Sequence, residues 1–213
     1  MKSALGGIAV LLVVLALART ALARSPLVAE LEALATRYHE NPARLDAVRD
    51  GLTRAAREEP DPETWIALSR ACFIWGDVRA TNAEQKLAAY AEGREAARRA
   101  VELAPRAPLA HLFFGINTGR WGQTKGVVRS LFLLPEVREA IRQTLALDPM
   151  LPVAYALAGN VDYEVPAIFG GSLERAEGHF RNGRGSGSIH ASRRFAWPRF
   201  STGRGAWPRH GGS

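Results

Sequence analysis

Few residues in this 213-residue chain have the types and spacing that chemistry needs. Gly119-Arg-Trp-Gly-Gln-Thr-Lys125-Gly126 has the outline of a phosphate loop. Such a loop needs Gly directly before Lys and Ser or Thr directly after it, so that backbone N–H groups cradle phosphate and the hydroxyl meets Mg²⁺. Here Thr124 precedes Lys125, Gly126 follows, and no strand leads in, so the stretch reads as a connection between two helices. His39, His111, His179, His190 and His210 form no i, i+4 metal pair and no H-E-x-x-H run. Cys72 is the single cysteine, which excludes an internal disulfide and a Cys-based zinc site; on an apolar helical face it predicts a buried, inert thiol. Asp162 and Glu164 could do acid–base work if they faced each other across a cleft, about 5–9 Å apart. At i, i+2 on one helix they point different ways. A hydrolase reading has only their proximity in its favour. The chain reads as a non-enzyme with no cofactor and no metal.

Binding has more support. Trp75-Gly76, Trp121-Gly122 and Phe169-Gly170 recur near the end of an apolar helix in three successive segments. One reading is a Gly helix cap with the aromatic ring covering the helix end. The other places Trp75, Trp121 and Phe169 on one concave track, with Asn117, Lys125 and Tyr163 at its edge, open to a small apolar or organic-anion ligand.

The elements that would hold such a track repeat. Arg94-Glu-Ala-Ala-Arg98, Leu103, Pro105, Pro108, Ala110 and Gly115 recur 44 positions later as Arg138-Glu-Ala-Ile-Arg142, Leu147, Pro149, Pro152, Ala154 and Gly159. A fixed offset with matching residue types marks a repeated structural unit. The stops Pro60, Pro105 and Pro149 lie 45 and 44 residues apart. Leu27, Leu31, Leu34 and Tyr38 predict a helix over 27–38; Pro42 with Leu45, Val48, Leu52 and Ala55 predicts a second; Asp61-Pro62-Glu63 opens a third. Trp65-x-x-Leu68-Ser69 and Ala100, five before Pro105, phase like the two helices of a tetratricopeptide unit, whose ordinary period is about 34 residues. The excess of about ten is placed in a long loop between the two helices of each unit. HEAT-like pairs, with a period of about 40–47 residues, are the rival. The predicted fold is all-α: a right-handed, tetratricopeptide-like stack of antiparallel helix pairs over residues 24–183.

The two ends differ from this text. Lys2, an apolar run from Ala4 to Ala18, and Ala21-Leu22-Ala23 read as a secretory signal peptide over 1–23, cut before Arg24. The apolar run is shorter than the about 20 residues a membrane helix needs. The mature protein is therefore expected in the periplasm, with no lipidation Cys. Residues 184–213 carry six arginines and no Leu, Val, Asp, Glu or Lys, so six of the seven net positive charges of the chain sit there and the repeat region is near neutral. No nucleic-acid surface is expected on the folded part. The codons of residues 185–190, read one base later, can encode Ala-Leu-Asp-Pro-Phe-Thr, which echoes Ala146-Leu147-Asp148-Pro149. The tail is thus expected to be disordered, as a frameshift product or as a genuine basic Trp/Arg segment.

The run Gly115-Ile-Asn117, Gly119 to Gly126, Asp148-Pro149 and Phe169-Gly-Gly-Ser-Leu173-Glu-x-Ala176 resembles the T-component of tripartite ATP-independent periplasmic (TRAP) transporters, and tetratricopeptide proteins more broadly. The resemblance covers about residues 60–183. It implies an exported all-helical protein with a ligand-accessible cavity, a periplasmic substrate-binding subunit as protein partner, and homo-oligomers, trimers in some members. Two departures stand out: no lipoprotein Cys, and no continuing helices after Gly183. The expected function is non-catalytic protein–protein interaction, either as a transporter accessory or as a general scaffold for envelope assembly without a small-molecule site.

Overall fold

The structure, a computed structural model, describes residues 25–34 and 37–185, the side chains of 184 and 185 excepted. The expected signal peptide and nearly all of the expected disordered tail lie outside the described residues. Among the latter are eight α-helices: α1 (Pro26–Leu34), α2 (Pro42–Glu58), α3 (Pro62–Val78), α4 (Ala83–Leu103), α5 (Pro108–Lys125), α6 (Val127–Leu147), α7 (Pro152–Glu164) and α8 (Leu173–Gly185). A 3₁₀ turn, Ala167–Phe169, joins the last two.

Proline sets the starts. α2, α3, α5 and α7 each begin with Pro at the first helical position, where the missing N–H costs nothing and φ is already helical. Asp61 caps α3 by accepting from Glu63 N and Thr64 N at 2.9 and 3.0 Å, and Asn82 caps α4 through Gln85 N at 2.9 Å. The repeat is visible in the backbone. Residues that close α2, α4 and α6 share one conformation: Glu59 (φ −132, ψ 87), Ala104 (φ −140, ψ 77) and Asp148 (φ −140, ψ 90). Those that open α5 and α7 share another: Ala107 (φ −84, ψ 109) and Leu151 (φ −79, ψ 103).

Short connections make neighbouring helices antiparallel. α3 packs on α4, α5 on α6 and α7 on α8, and the pairs join in series through α4–α5 and α3–α5 contacts. The core runs along the stack from Leu31, Leu45 and Leu52 through Cys72, Leu112 and Phe113 to Ala154, all at most 1% exposed. Each such Leu or Phe contributes roughly 1.5–3 kcal/mol by leaving water. The fold is the tetratricopeptide-like stack of antiparallel helix pairs that the repeat implied.

Three details correct the sequence-based expectations. In the first two units the extra residues lie in the helices, not in inner loops: α4 and α6 are 21 residues long, and α5 passes to α6 through Gly126 alone; only the third unit has a longer inner connection, residues 165–172. The first helix ends at Leu34, with Tyr38 in the turn that brings the chain to Pro42. Gly76 and Gly122 do not cap helices but lie inside α3 and α5. They let a neighbour approach: a Cβ on Gly76 would strike the Tyr90 ring, and one on Gly122 would sit 3.2 Å from Ser130 Cα. Of the three aromatic-Gly pairs, only Phe169-Gly170 has its glycine as a cap, with φ +83 after the 3₁₀ turn; α5 is capped by Gly126, φ +110.

Candidate binding groove

The stack opens between its second and third pairs. α7 meets the second pair only thinly, whereas α5 lies broadly against α4. The first turns of α6 explain this. Val127 to Leu134 is almost wholly apolar, and Pro135 follows, unable to donate to the Leu131 carbonyl. This stretch faces partly into water: Val127, Val128 and Phe132 are 72%, 70% and 74% exposed.

Beside it lies a cavity of ≈ 250 Å³ between α5, α6 and α7. Its walls include Ile116, Leu131, Leu134, Val137, Leu157 and Val161, and its polar end holds Arg120, Gln123, Asn160 and Glu164. Gln123 Nε2 donates to Glu164 Oε2 at 2.5 Å across the mouth. Glu164 keeps contact with solvent, yet the protein wall around it pushes its carboxyl above the usual carboxylate range. Arg120 reaches back to the buried carboxylate of Asp77, which also accepts from Tyr90 Oη at 2.6 Å. An apolar chamber with a few convergent polar groups at one end suits binding.

None of the six groove residues expected from sequence lines this cavity. Trp75 faces α2: its Nε1 donates to Asp46 Oδ1 at 2.7 Å and the Arg49 guanidinium lies 4.8 Å above the ring. Trp121 and Lys125 do come together, with Lys125 Nζ 5.5 Å and the Arg129 guanidinium 5.4 Å from the ring, at the α5–α6 corner. Phe169 and Tyr163 are exposed near the α7–α8 connection. Asn117 is fully buried and not at a groove edge. It donates to Ser69 O, Ser69 Oγ and Phe113 O at 3.0–3.1 Å. The aromatics do not form one track because they do not keep the 44-residue period. Trp75, Trp121 and Phe169 are 46 and 48 apart against repeat steps of 45 and 44; each extra helical residue turns a side chain by about 100°, and Phe169 lies in the 3₁₀ turn beyond α7.

The chemistry excluded from sequence stays apart in space. Asp162 and Glu164 line different cavities, one held by Arg175 and the other by Gln123. The phosphate-loop-like stretch is the C-terminal half of α5. Burial pushes the Cys72 thiol up to about 12. His111 Nε2 is 2.8 Å from Pro105 O. Among the described residues no group of three His, Cys, Asp or Glu is placed to hold a metal ion, and no helix is long and apolar enough to cross a membrane. The signal sequence reasoning missed was the Val127–Leu134 run, too apolar for a helix that the next unit covers incompletely.

Fold and groove together define a tetratricopeptide-like helical-repeat protein. Residues 27–169, well over half of the chain, match the family described as Regulator of microtubule dynamics protein 1-3, and the chain belongs to that family. This family is not the transporter component, so the expected resemblance holds only at the level of the tetratricopeptide-like helical class. No curated protein matches the chain. Among solved structures, the MamA RS-1 ArsTM double mutant is 17% identical over 77% of this chain and 96% of its own, at TM-score 0.36. A crystal structure of MamA is 15% identical over 69% and 91%, at TM-score 0.35. MamA 41-end from Desulfovibrio magneticus RS-1 is 17% identical over 76% and 96%, also at 0.35.

Proposed function

We propose that the chain is a non-catalytic interaction scaffold that docks an apolar segment of a protein partner in the α5–α6–α7 groove. The observation that carries this is the conjunction of the ≈ 250 Å³ apolar cavity, with exposed Val127 on its wall, and exposed Val128 and Phe132 on the same turns of α6. Large apolar side chains left in water beside a cavity mark an interaction surface. Exported behind the leader, the protein meets its partner in the periplasm. The family's name concerns microtubule dynamics; what supports this reading is the helical-repeat fold and its apolar groove, not that target. In its narrower form the partner is a transporter's substrate-binding subunit, and Arg120, Gln123 and Asn160 give the cavity a head-group end for an organic anion. Homo-oligomers through the same rim are the other form.

The test is a Val128→Asp/Phe132→Asp double variant compared with wild type by affinity capture from periplasm. Both side chains are exposed, so the melting temperature should hold while the partner is lost. A partner retained by the variant removes the groove from the proposal.

A further inference from the structure

Successive second helices are tied by a repeated ion pair. Arg49 of α2 meets Glu92 of α4. Arg94 of α4 meets Glu136 of α6, its Nη2 2.6 and 2.7 Å from the two carboxylate oxygens. The arginines are 45 apart and the acids 44. Each guanidinium also lies against a ring, Trp75 at 4.8 Å and Phe114 at 5.5 Å.

Arg138 of α6 is the next arginine in this series, 44 after Arg94. The series breaks there. Phe180 stands 44 after Glu136, and residues 178–183 of α8 contain no acid. Arg138 Nη2 donates instead to Gly170 O at 2.7 Å. Its nearest carboxylate oxygen, Asp162 Oδ1, is 3.8 Å away and already bound by Arg175 Nη2 at 3.0 Å. Side-chain exposure along the series is 19% for Arg49, 25% for Arg94 and 41% for Arg138.

Next to Arg138 is a second cavity of ≈ 340 Å³ between α6, α7 and α8. Arg138, Arg175 and His179 line it against the single carboxylate of Asp162, whose Oδ2 is 3.5 Å from His179 Nε2. Ile141, Ala158 and Val161 form an apolar wall. Two guanidiniums around one acid leave net positive charge in a recess with room for a methylene stem.

We propose that this cavity is a subsite for the side-chain carboxylate of an acidic peptide segment. The incoming carboxylate takes the place that Glu92 and Glu136 fill in the two preceding steps. A guanidinium fork matches a carboxylate geometrically, which a lysine would not. The inference rests on the scaffold reading only for the source of the carboxylate; the apolar groove is the neighbouring one, on the Glu164 side of α7, and shares Val161 alone with this cavity.

The experiment is an NMR titration of the ¹⁵N-labelled full chain with acetyl-tetraglutamate amide, against acetyl-tetraglutamine amide. Saturable shifts are expected at the Arg138 and Arg175 side-chain N–H groups with the acidic peptide alone, weakening as salt rises. Arg138→Gln should lower affinity at least tenfold. Arg138→Lys, which keeps the charge and loses the fork, should fall between, and serves if the Gln variant fails to fold. Arg142→Gln, on the same helix but paired with Glu139 in water, should bind as wild type. Equal response to the glutamine peptide, no response to the acidic one, or undiminished binding by a folded Arg138 variant overturns the proposal. The Val128→Asp/Phe132→Asp protein should bind the peptide normally, so failure of one reading does not imitate failure of the other.

Discussion

The amide of Asn117 lies flat against Gly93: a Cβ built on that glycine would sit 2.5 Å from Asn117 Oδ1. Ser69 completes the contact, donating to Gly93 O at 2.6 Å and accepting from Asn117 Nδ2 at 3.0 Å. Three helices, α3, α4 and α5, thus meet at one buried polar point where two repeat units join.

Gly93→Ala should therefore break the junction. The amide is held by three hydrogen bonds and cannot swing away cheaply. The expected loss is about 1–3 kcal/mol, the usual cost of overpacking a close contact. Urea unfolding should show a lower midpoint with unchanged slope. An unchanged midpoint would mean that the Asn117 network is pliable.

Glu164 sets a pH dependence. The protein wall beside it, displacing part of its water, raises its folded value above the ordinary 4.5. Its contribution to stability is thus fullest below 4.5 and is lost as pH rises through the folded value, where the carboxylate must ionise beside apolar walls. Glu164→Gln keeps an acceptor for Gln123 without the charge. The variant should melt higher than wild type near neutral pH, and the two should converge toward about pH 4. A gap that widens on acidification would refute the assignment.

Cys72 should be silent until the stack opens. It is fully buried, and burial, with Glu92 nearby, holds its thiol near 12, so almost no thiolate exists at neutral pH. An aromatic disulfide reagent should titrate no thiol in the native protein and one on denaturation. Rapid native labelling would show that α3 is not sealed by α2 and α4.

Much of the architecture could be read from residue order because it depends on local chemistry. Pro42, Pro62, Pro108 and Pro152 start helices through a pre-set φ and a missing donor. The 44-residue echo of Arg94–Gly115 in Arg138–Gly159 forecast that the two stretches would fold alike, and their flanking dihedral angles agree. Gly76 and Gly122 were harder. A glycine is the same letter whether it ends a helix or lets another side chain come near, and only Tyr90 and Ser130 across the interface tell which.

Residue order by itself determined the helix pairs and their period, since both follow from spacing along a single chain. The tertiary structure decided where the pairs part. Whether Val127–Leu134 is core or rim, and whether Arg138 finds an acid, depends on how closely α7 and α8 approach α6. That distance is a balance among side chains tens of residues apart, which no local pattern records.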